Sequence, residues 1–576
     1  MAYVELEIPP GVVRPATPLQ ASGRYWDANL IRWRSGKLLP VGGWQRISED
    51  PLASTCRSIF TWLSTDDVPY GAFGCEGNLY ALSVPDSTIT EITPTGFVPA
   101  DSGLEGGYGA STYSDYLYGD PTGRPVSPFD LPTFSWTFDN WGTSLLAVAS
   151  SDGRFLQWVV GDDNAHVVGT ATISSIQRQS NTVTVTCAES HDFSVGDSVV
   201  IAGVTTTSFN GTFTIVSVPT ADTFTYSQSG TNATSSGGTA TSGSVPTDNR
   251  GVIATEERHV VLFGAGGNPR RVAWSDQENY VNWDFSDPLS QAGYFDLDTN
   301  SKIIMAVAVR DGTLILTDGE AWLMRYIGLP YIYSFERVGH ECGIIAPMAF
   351  ATFAGRCVWM GREGFWMYDG GFVRQLPCDV GSYVFDNIDA TAGRVYTHGT
   401  NNGVFPEVWF WYPSDGSSVP DRYVIYNYSE NWWSVGQLTR TAAANNGVTL
   451  YPLATDENNE IYYQENGWTA AGVPITTQRY AETGSLDVSR GSVTSMVRQA
   501  ITDSGYGYDS TALTFYSTYT PDGGSEATFG PYSPRSDGYT DVRFSGRDYR
   551  MKVEATEDAE WSIGNIRLDL IPRGGR

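Results

Sequence analysis

The feature that most constrains this 576-residue sequence is a β-meander that recurs along the chain. Its clearest copy is residues 306–328, AVAVRDGTLILTDGEAWLMRYIG, in which two Asp-Gly pairs separate three short β-rich runs. Asp-Gly favours tight hairpin turns because Gly tolerates a positive φ. We therefore predict strands over 306–309, 314–317 and 321–326. One such meander cannot bury both faces of its sheet, so it needs neighbours of its own kind.

Similar units follow one another through most of the chain. Once one insertion is set aside, they lie roughly 37–60 residues apart, close to the period of about 40–50 residues of a four-stranded propeller blade. The composition, with 62 Gly, 30 Pro and 13% aromatic residues, favours many short strands joined by turns. The sequence therefore predicts an all-β fold with a β-propeller of about 6–8 blades.

Two stretches depart from the meander. Residues 170–226 are rich in Thr, Val and Ile, contain an Asn-Gly hairpin signal and return through the polar linker SQSGTNATSSGGTATSGS. Longer alternating strands begin near residue 483, as in a sandwich. We predict five parts: an extended N-terminal segment (1–50), the first propeller part (51–165), an inserted small β-module with its linker (166–245), the second propeller part (246–480) and a C-terminal β-sandwich (481–576).

The net charge and the spacing of the cysteines limit the classes of protein to which this chain can belong. A formal charge of −29 argues against tight nucleic-acid binding, which needs Lys and Arg on phosphates. The six cysteines are scattered without paired spacing, which favours reduced thiols over disulfides or zinc. The start, MAYVELEIPPGVV, lacks the basic and apolar regions of a signal peptide, and no apolar run reaches the ~18 residues of a membrane span. We expect a protein made in a reducing compartment, without a membrane span.

A dense aromatic and basic block, GRYWDANLIRWRSGKLLPVGGW, occupies residues 23–44. It can be interpreted as a nucleic-acid patch with stacking platforms, or as Arg stacked on Trp at a packed surface or subunit contact. The acidity of the chain favours the second interpretation. The predicted interface residues are Arg24, Tyr25, Trp26, Arg32, Trp33, Arg34 and Trp44.

A search for chemistry predicts no catalytic, cofactor-binding or metal residues, and hence no enzyme. The sequence contains no phosphate loop, G-x-S-x-G or H-E-x-x-H. His340, Glu341 and Cys342 are adjacent, but neighbours on a strand point to opposite faces. Residues 296–300 begin like a calcium loop yet lack its Gly and its final Glu. Propeller glycosidases use carboxylates dispersed over several blades, and that pattern stays open because spacing cannot exclude it.

Two blocks carry a resemblance to a known family. Residues 23–44 and WTFDNWGTSLLAV at 136–148 resemble recurring blocks of tail hub, or nozzle, proteins of short-tailed bacteriophages. The Tyr/Gly run at 103–118 and the closing WSIGNIRLDLIPRGGR are similar to less specific features of that family. The resemblance covers most of the chain outside the inserted module, which departs from it.

The resemblance implies a virion-tail structural protein assembled in the host cytoplasm. Such a protein forms a homohexameric ring below the tail adaptor, on the portal side, and extends the channel for DNA ejection. It also docks tail fibres or spikes, has no cofactor, and lets double-stranded DNA pass without tight binding. The alternative is a carbohydrate-binding or polysaccharide-cleaving propeller for host-surface contact, since aromatic faces stack on sugars.

Overall fold

The computed structural model describes residues 3–15, 17–100, 134–242, 245–487, 494–518, 526–535 and 537–573. The Tyr/Gly run at 103–118 lies outside them. Within the described residues the regular structure is strand, apart from six short helical turns. These are the α-helices Gly381–Phe385 and Gly393–Tyr396 and the 3-10 turns Thr207–Phe209, Ala265–Gly267, Thr476–Gln478 and Tyr508–Ser510. No helix in this part of the chain is long and apolar enough to cross a membrane.

Seven four-stranded antiparallel sheets within the described residues form a β-propeller, which confirms the predicted fold class. The strands of blades 1 to 4 are Cys56–Leu63, Pro69–Cys75, Leu79–Ser83, Thr88–Glu91; Trp136–Trp141, Ser144–Ala149, Phe155–Trp158, His166–Val167; Gly251–Ala254, Val260–Phe263, Arg271–Trp274, Gly293–Asp296; and Ile303–Val309, Gly312–Thr317, Glu320–Gly328, Ile332–His340. Those of blades 5 to 7 are Phe350–Phe353, Arg356–Met360, Phe365–Tyr368, Val373–Leu376; His398–Asn401, Glu407–Tyr412, Arg422–Asn427, Trp432–Gln437; and Ala442–Ala444, Leu453–Thr455, Ile461–Gln464, Trp44–Arg46.

The propeller ring is closed by two distant parts of the chain. The outer strand of blade 7 is Trp44–Arg46, which pairs antiparallel with Ile461–Gln464. The first strand of every blade lines one common axial cavity. Closing a ring of sheets leaves only short, protected strand edges, which is how propellers limit edge-to-edge pairing.

The propeller has two different faces. The inner strands of neighbouring blades run in the same direction, as blades 2 and 3 illustrate. Val252 N donates to Thr137 Oγ1 at 2.9 Å, and two residues further along both strands Ala254 N donates to Asp139 Oδ2 at 2.7 Å. Turns between first and second strands and between third and fourth strands therefore lie on one side, here called the turn face. Second-to-third turns and the crossovers to the next blade lie on the opposite, crossover face.

Both ends of the chain build the sandwich. One sheet contains Tyr3–Leu6, Ile31–Arg34, Lys37–Pro40, Thr494–Tyr506, Tyr539–Gly546 and Ser562–Arg573, and the other contains Tyr25–Asn29, Tyr480–Thr483, Leu486–Asp487, Thr511–Thr518, Ala527–Tyr532 and Asp548–Ala555. The structure thus differs from the expected extended segment 1–50. Pairings such as Leu38 with Ile563 join residues far apart in sequence, and local patterns do not contain that information.

The sandwich and the propeller share a hydrophobic core. One continuous cluster of buried side chains runs from the sandwich into blades 3 to 7. At the junction Trp33 meets Trp432 of blade 6 edge-on, with ring centroids 5.4 Å apart. Because apolar burial is the main stabilising contribution to folding, this shared core fixes the two domains to each other.

The inserted module is a small closed barrel between blades 2 and 3. Its six ring strands are Thr170–Gln179, Thr182–Cys187, Thr223–Ser227, Gly211–Thr220, Ser198–Ala202 and Thr239–Ser242, and Ala233–Ser235 adds to the first of them. The barrel residues lie inside the predicted range 166–245. Their buried apolar side chains form a cluster that contains no propeller residue.

Candidate interaction surfaces and axial cavity

The predicted contact block lies mostly inside the molecule. Trp33 and Arg32 are each 1% exposed in the single chain, so neither offers surface to another subunit. The interpretation of these side chains as an exposed subunit contact is therefore corrected. The strands that carry them are covered on one side by the sandwich and on the other by blades 6 and 7. The buried members of the block are Tyr25, Arg32, Trp33 and Trp44.

Arg32 joins the sandwich to two propeller blades. Its Nε lies 3.1 Å from Glu407 Oε1 in blade 6, its Nη1 donates to Glu465 Oε2 at 3.0 Å beyond blade 7, and its Nη2 contacts the other oxygen of Glu465. The guanidinium also stacks 3.7 Å from the centroid of the Phe405 ring. Burial alone would lower the pKa of Arg32, but the two carboxylates hold it above its ordinary value. Arginine suits this site because its planar fork bonds carboxylates bidentately and stacks on rings.

The pKa values of the two carboxylates bonded to Arg32 shift in opposite directions. Burial raises the pKa of Glu407, and the Arg32 charge offsets this only in part. Burial also acts on Glu465, but Arg32, the Asn402 amide and the Gly42 N–H bond it and lower its pKa. A pair of buried carboxylates could suggest acid–base chemistry. Here the space between them is filled by the guanidinium, so the group is an internal ion triad.

Three members of the block remain at the surface. Arg24 lies 3.7 Å from Asp379, Trp26 is covered on one face by the Arg14 guanidinium at 4.0 Å, and Arg34 is exposed. Whether Arg24, Trp26 and Arg34 contact another subunit stays a prediction.

The residues that the sequence suggested for catalysis or metal binding do not come together in one site. Cys342 is fully buried while His340 and Glu341 are exposed, and burial raises the pKa of the Cys342 thiol to about 12. Asp296 is held by Arg271 at 2.8 Å, so its carboxylate is already engaged. Among the described residues no group of three His, Cys, Asp or Glu is arranged to hold a metal.

The axis of the propeller is a small cavity that side chains narrow near one end. Met348, which precedes the inner strand of blade 5, places its Sδ 3.9 Å from Ser58 Oγ in blade 1. Blades 1 and 5 are not neighbours, so this contact spans the axis. The cavity has a volume of about 310 Å³, and its lining contains no Lys or Arg. A double helix cannot pass through it.

Exposed apolar side chains collect on the turn face. Leu289 is 91%, Leu329 77% and Tyr331 75% exposed, whereas the crossover face has only Val98 among the large exposed hydrophobics of the described residues. Large exposed apolar patches on soluble proteins mark interaction sites. The turn-face set is Leu63, Phe285, Leu289, Ile327, Leu329, Tyr331, Phe372, Val404 and Leu450.

Five of the nine members of this set belong to two consecutive blades, 3 and 4. The long hairpin of Glu320–Gly328 and Ile332–His340 carries Ile327, Leu329 and Tyr331 at its tip. On the same face, the loop after the third strand of blade 3 carries Phe285 and Leu289, and Phe285 contacts Tyr294 in the outer strand of that blade. We call these five side chains the outer corner. No signal in the sequence identified them, because exposure depends on which turns share a face.

No protein-family model and no curated protein matches this sequence. Among solved structures, the chain is similar to the phage phi92 endosialidase, with 13% identity, 76% of this chain and 68% of that chain covered, and a TM-score of 0.25. It is also similar to the Neurospora crassa Pan2 WD40 domain, with 8% identity, 57% and 87% covered, and a TM-score of 0.28. The strand pairing described above, and not these distant similarities, defines the class: a seven-bladed β-propeller fused to a β-sandwich.

Proposed function

We propose that this protein is a structural subunit of a short-tailed phage tail, a nozzle or hub that assembles into a ring. The single observation that carries the proposal is the apolar outer corner of blades 3 and 4. Its five side chains are between 41% and 91% exposed, and exposed apolar side chains that gather on one face of a soluble protein mark an interaction site. The resemblance of residues 23–44 and 136–148 to nozzle proteins supplies the biological setting.

The charge distribution fits a building block better than a nucleic-acid binder. Residues 51–165 and 246–480 together hold 41 Asp and Glu against 18 Lys and Arg, so the propeller carries most of the excess charge. An acidic wall does not retain phosphates. Because the axial cavity is too small for a double helix, DNA would travel through a lumen between subunits and not through any single propeller.

Substitutions at the outer corner test this proposal. The double variant Leu329→Asp and Tyr331→Asp adds two charges to the hairpin tip and should convert the assembled ring to monomer. The matched control is Val98→Asp, which places a charge at a half-exposed apolar site on the crossover face. Light scattering after size exclusion should show a ring for the parent and the control only. A ring that persists in the double variant would contradict this assignment of the contact.

A further inference from the structure

The axial cavity opens on the turn face through a polar mouth. Five residues in or directly after the C-terminal half of inner strands line it with side chains that can hydrogen-bond and, with one exception, carry no charge. These residues are Thr61, Asp139, Thr352, Asn401 and Asn445. At the other end the side chains of Met348 and Ser58 meet across the axis and narrow the cavity. A ligand that enters from the turn face therefore reaches this contact between Met348 and Ser58.

The two asparagines present donors to the mouth. Asn401 Oδ1 accepts from Gly403 N at 3.3 Å, and Asn445 Oδ1 accepts from Gly447 N at 3.2 Å. Each carboxamide oxygen is thus used by the turn that follows its strand. The NH₂ groups of Asn401 and Asn445 are the parts of these side chains that can donate to a ligand.

Asp139 supplies acceptor capacity beside these donors. Its Oδ2 accepts from Ala254 N at 2.7 Å and its Oδ1 from Asn140 N at 2.8 Å. A carboxylate has about four lone-pair sites, so two backbone bonds leave capacity for a ligand hydroxyl. Burial raises the pKa of Asp139 to about 6, as expected for a carboxyl that faces a cavity without a cation in its lining.

Aromatic rings form part of the wall. Phe60 and Phe138 line the cavity and stack on each other with centroids 6.3 Å apart and an interplanar angle of 25°. Both are half-buried, and Phe350 lines the same space. An apolar wall with a few convergent hydrogen-bonding groups and a perturbed carboxyl is the usual composition of a small-molecule site.

We propose that this mouth binds the terminal residue of a neutral saccharide chain. Sugar hydroxyls both donate and accept, which matches two amide donors, one carboxylate and two Thr hydroxyls, and the C–H faces of a pyranose pack on aromatic rings. The lining has no Lys or Arg to balance an anionic sugar, and Asp139 would repel one. A chain terminus can enter as far as the contact between Met348 and Ser58, whereas a chain threaded along the axis would have to pass it. This inference does not depend on ring assembly, because the mouth lies at the axis and the outer corner at the rim.

Ligand binding to the full chain tests the inference directly. Saturation-transfer NMR would use the methyl glycosides of glucose, galactose and N-acetylglucosamine, with N-acetylneuraminic acid as the anionic probe and choline as the cationic one. We expect at least one neutral glycoside to bind with a weak Kd, about millimolar. The variant Asn401→Ala with Asn445→Ala should weaken this binding at least tenfold. The control Asn300→Ala, at an exposed position outside the cavity lining, should not change it.

A further variant keeps the test decisive if the double variant fails to fold. Thr352→Val removes one hydroxyl from the mouth at nearly constant volume and should also reduce affinity. Three results would overturn the inference: no neutral glycoside binds the folded parent, the folded mouth variants bind as well as the parent, or N-acetylneuraminic acid or choline binds more tightly than every neutral probe.

Discussion

Arg32 Nε lies 3.1 Å from Glu407 Oε1, and both side chains are 1% exposed. Arg32 belongs to a sandwich strand and Glu407 to blade 6, so this ion pair crosses the boundary between two domains. Breaking one partner of a buried pair leaves an uncompensated charge, whereas replacing the whole group by neutral side chains costs far less. The triad therefore acts as a joint whose integrity depends on all three members.

Removing the cation of this joint should destabilise the protein strongly. We expect Arg32→Met to lower the free energy of unfolding by about 3–5 kcal/mol, because two buried carboxylates lose their counter-charge. Urea unfolding followed by tryptophan fluorescence measures the change. The triple variant with Glu407→Gln and Glu465→Gln should recover much of the loss. Equal stability of Arg32→Met and the parent would show that the triad does not hold the domains.

Truncation of Trp33 should affect folding before it affects assembly. Its ring packs on Trp432 at 5.4 Å and on Tyr25 at 5.2 Å, and it is 1% exposed. Trp33→Ala should cost about 3–5 kcal/mol of stability, the range for large buried aromatics. The neighbouring exposed Arg34→Ala should stay within about 0.5 kcal/mol of the parent. Parent-like melting of Trp33→Ala, together with loss of the ring, would instead restore the block as a subunit contact.

Local patterns predicted the meander because its turns and strands are encoded within a few residues. The expected strands at 306–309, 314–317 and 321–326 are all present, as Ile303–Val309, Gly312–Thr317 and Glu320–Gly328. The fourth strand, Ile332–His340, was not predicted, and it makes the hairpin that carries the outer corner. Its start, IYSF, has no alternation that separates it from a loop.

The joint and the axial cavity could not be predicted, because both depend on contacts across long sequence separations. Arg32 and Glu465 are 433 residues apart, and the sequence around either residue contains no pattern that predicts their contact. In the same way, Asp139, Asn401 and Asn445 share a mouth only because a ring of seven blades places the ends of their strands together. The sequence showed that the contact block is rich in aromatic and basic residues, but the prediction that all of them are exposed was wrong. Aromatic and basic side chains are equally suited to subunit interfaces and to buried contacts between domains, so composition alone does not distinguish the two.

The inserted barrel should be dispensable for the propeller. Its buried cluster contains only barrel residues, among them Ile176, Val185 and Phe224. Replacing residues 170–242 with a short Gly/Ser bridge should leave a protein that folds with nearly the parental melting temperature, measured by calorimetry. The isolated barrel should give its own cooperative transition. Aggregation of the shortened chain would mean that the barrel is part of the propeller core.

One ion pair should make the barrel's attachment depend on pH. His166 Nε2 in blade 2 lies 3.1 Å from Asp192 Oδ2 in the barrel. Burial lowers the pKa of His166, but bonding and charge from Asp192, with the charges of Asp162 and Glu189, raise it overall. A raised folded pKa adds stability that is complete below the unfolded value of 6.5 and is lost as pH rises through the folded pKa.

Hydrogen exchange at about pH 6 and pH 8.5, corrected for intrinsic rates, measures this attachment. Protection of the segment around Asp192 should fall on going to the higher pH, and His166→Gln should remove the difference. His191→Gln is the matched control, because burial lowers the pKa of His191. An unchanged pH response in His166→Gln would contradict the role of this pair.

The mass of the parent particle as a function of ionic strength tests the central claim most directly. Each subunit carries a formal charge of −29, so subunits repel one another, and this repulsion is screened over a Debye length of about 8 Å at physiological salt. If apolar contacts at the outer corner hold a ring, light scattering should show one closed species of about six subunit masses, favoured by moderate salt because screening weakens repulsion and leaves apolar contacts intact. A monomer at every concentration and salt tested, or a particle that dissociates as salt is raised, would contradict the proposed ring.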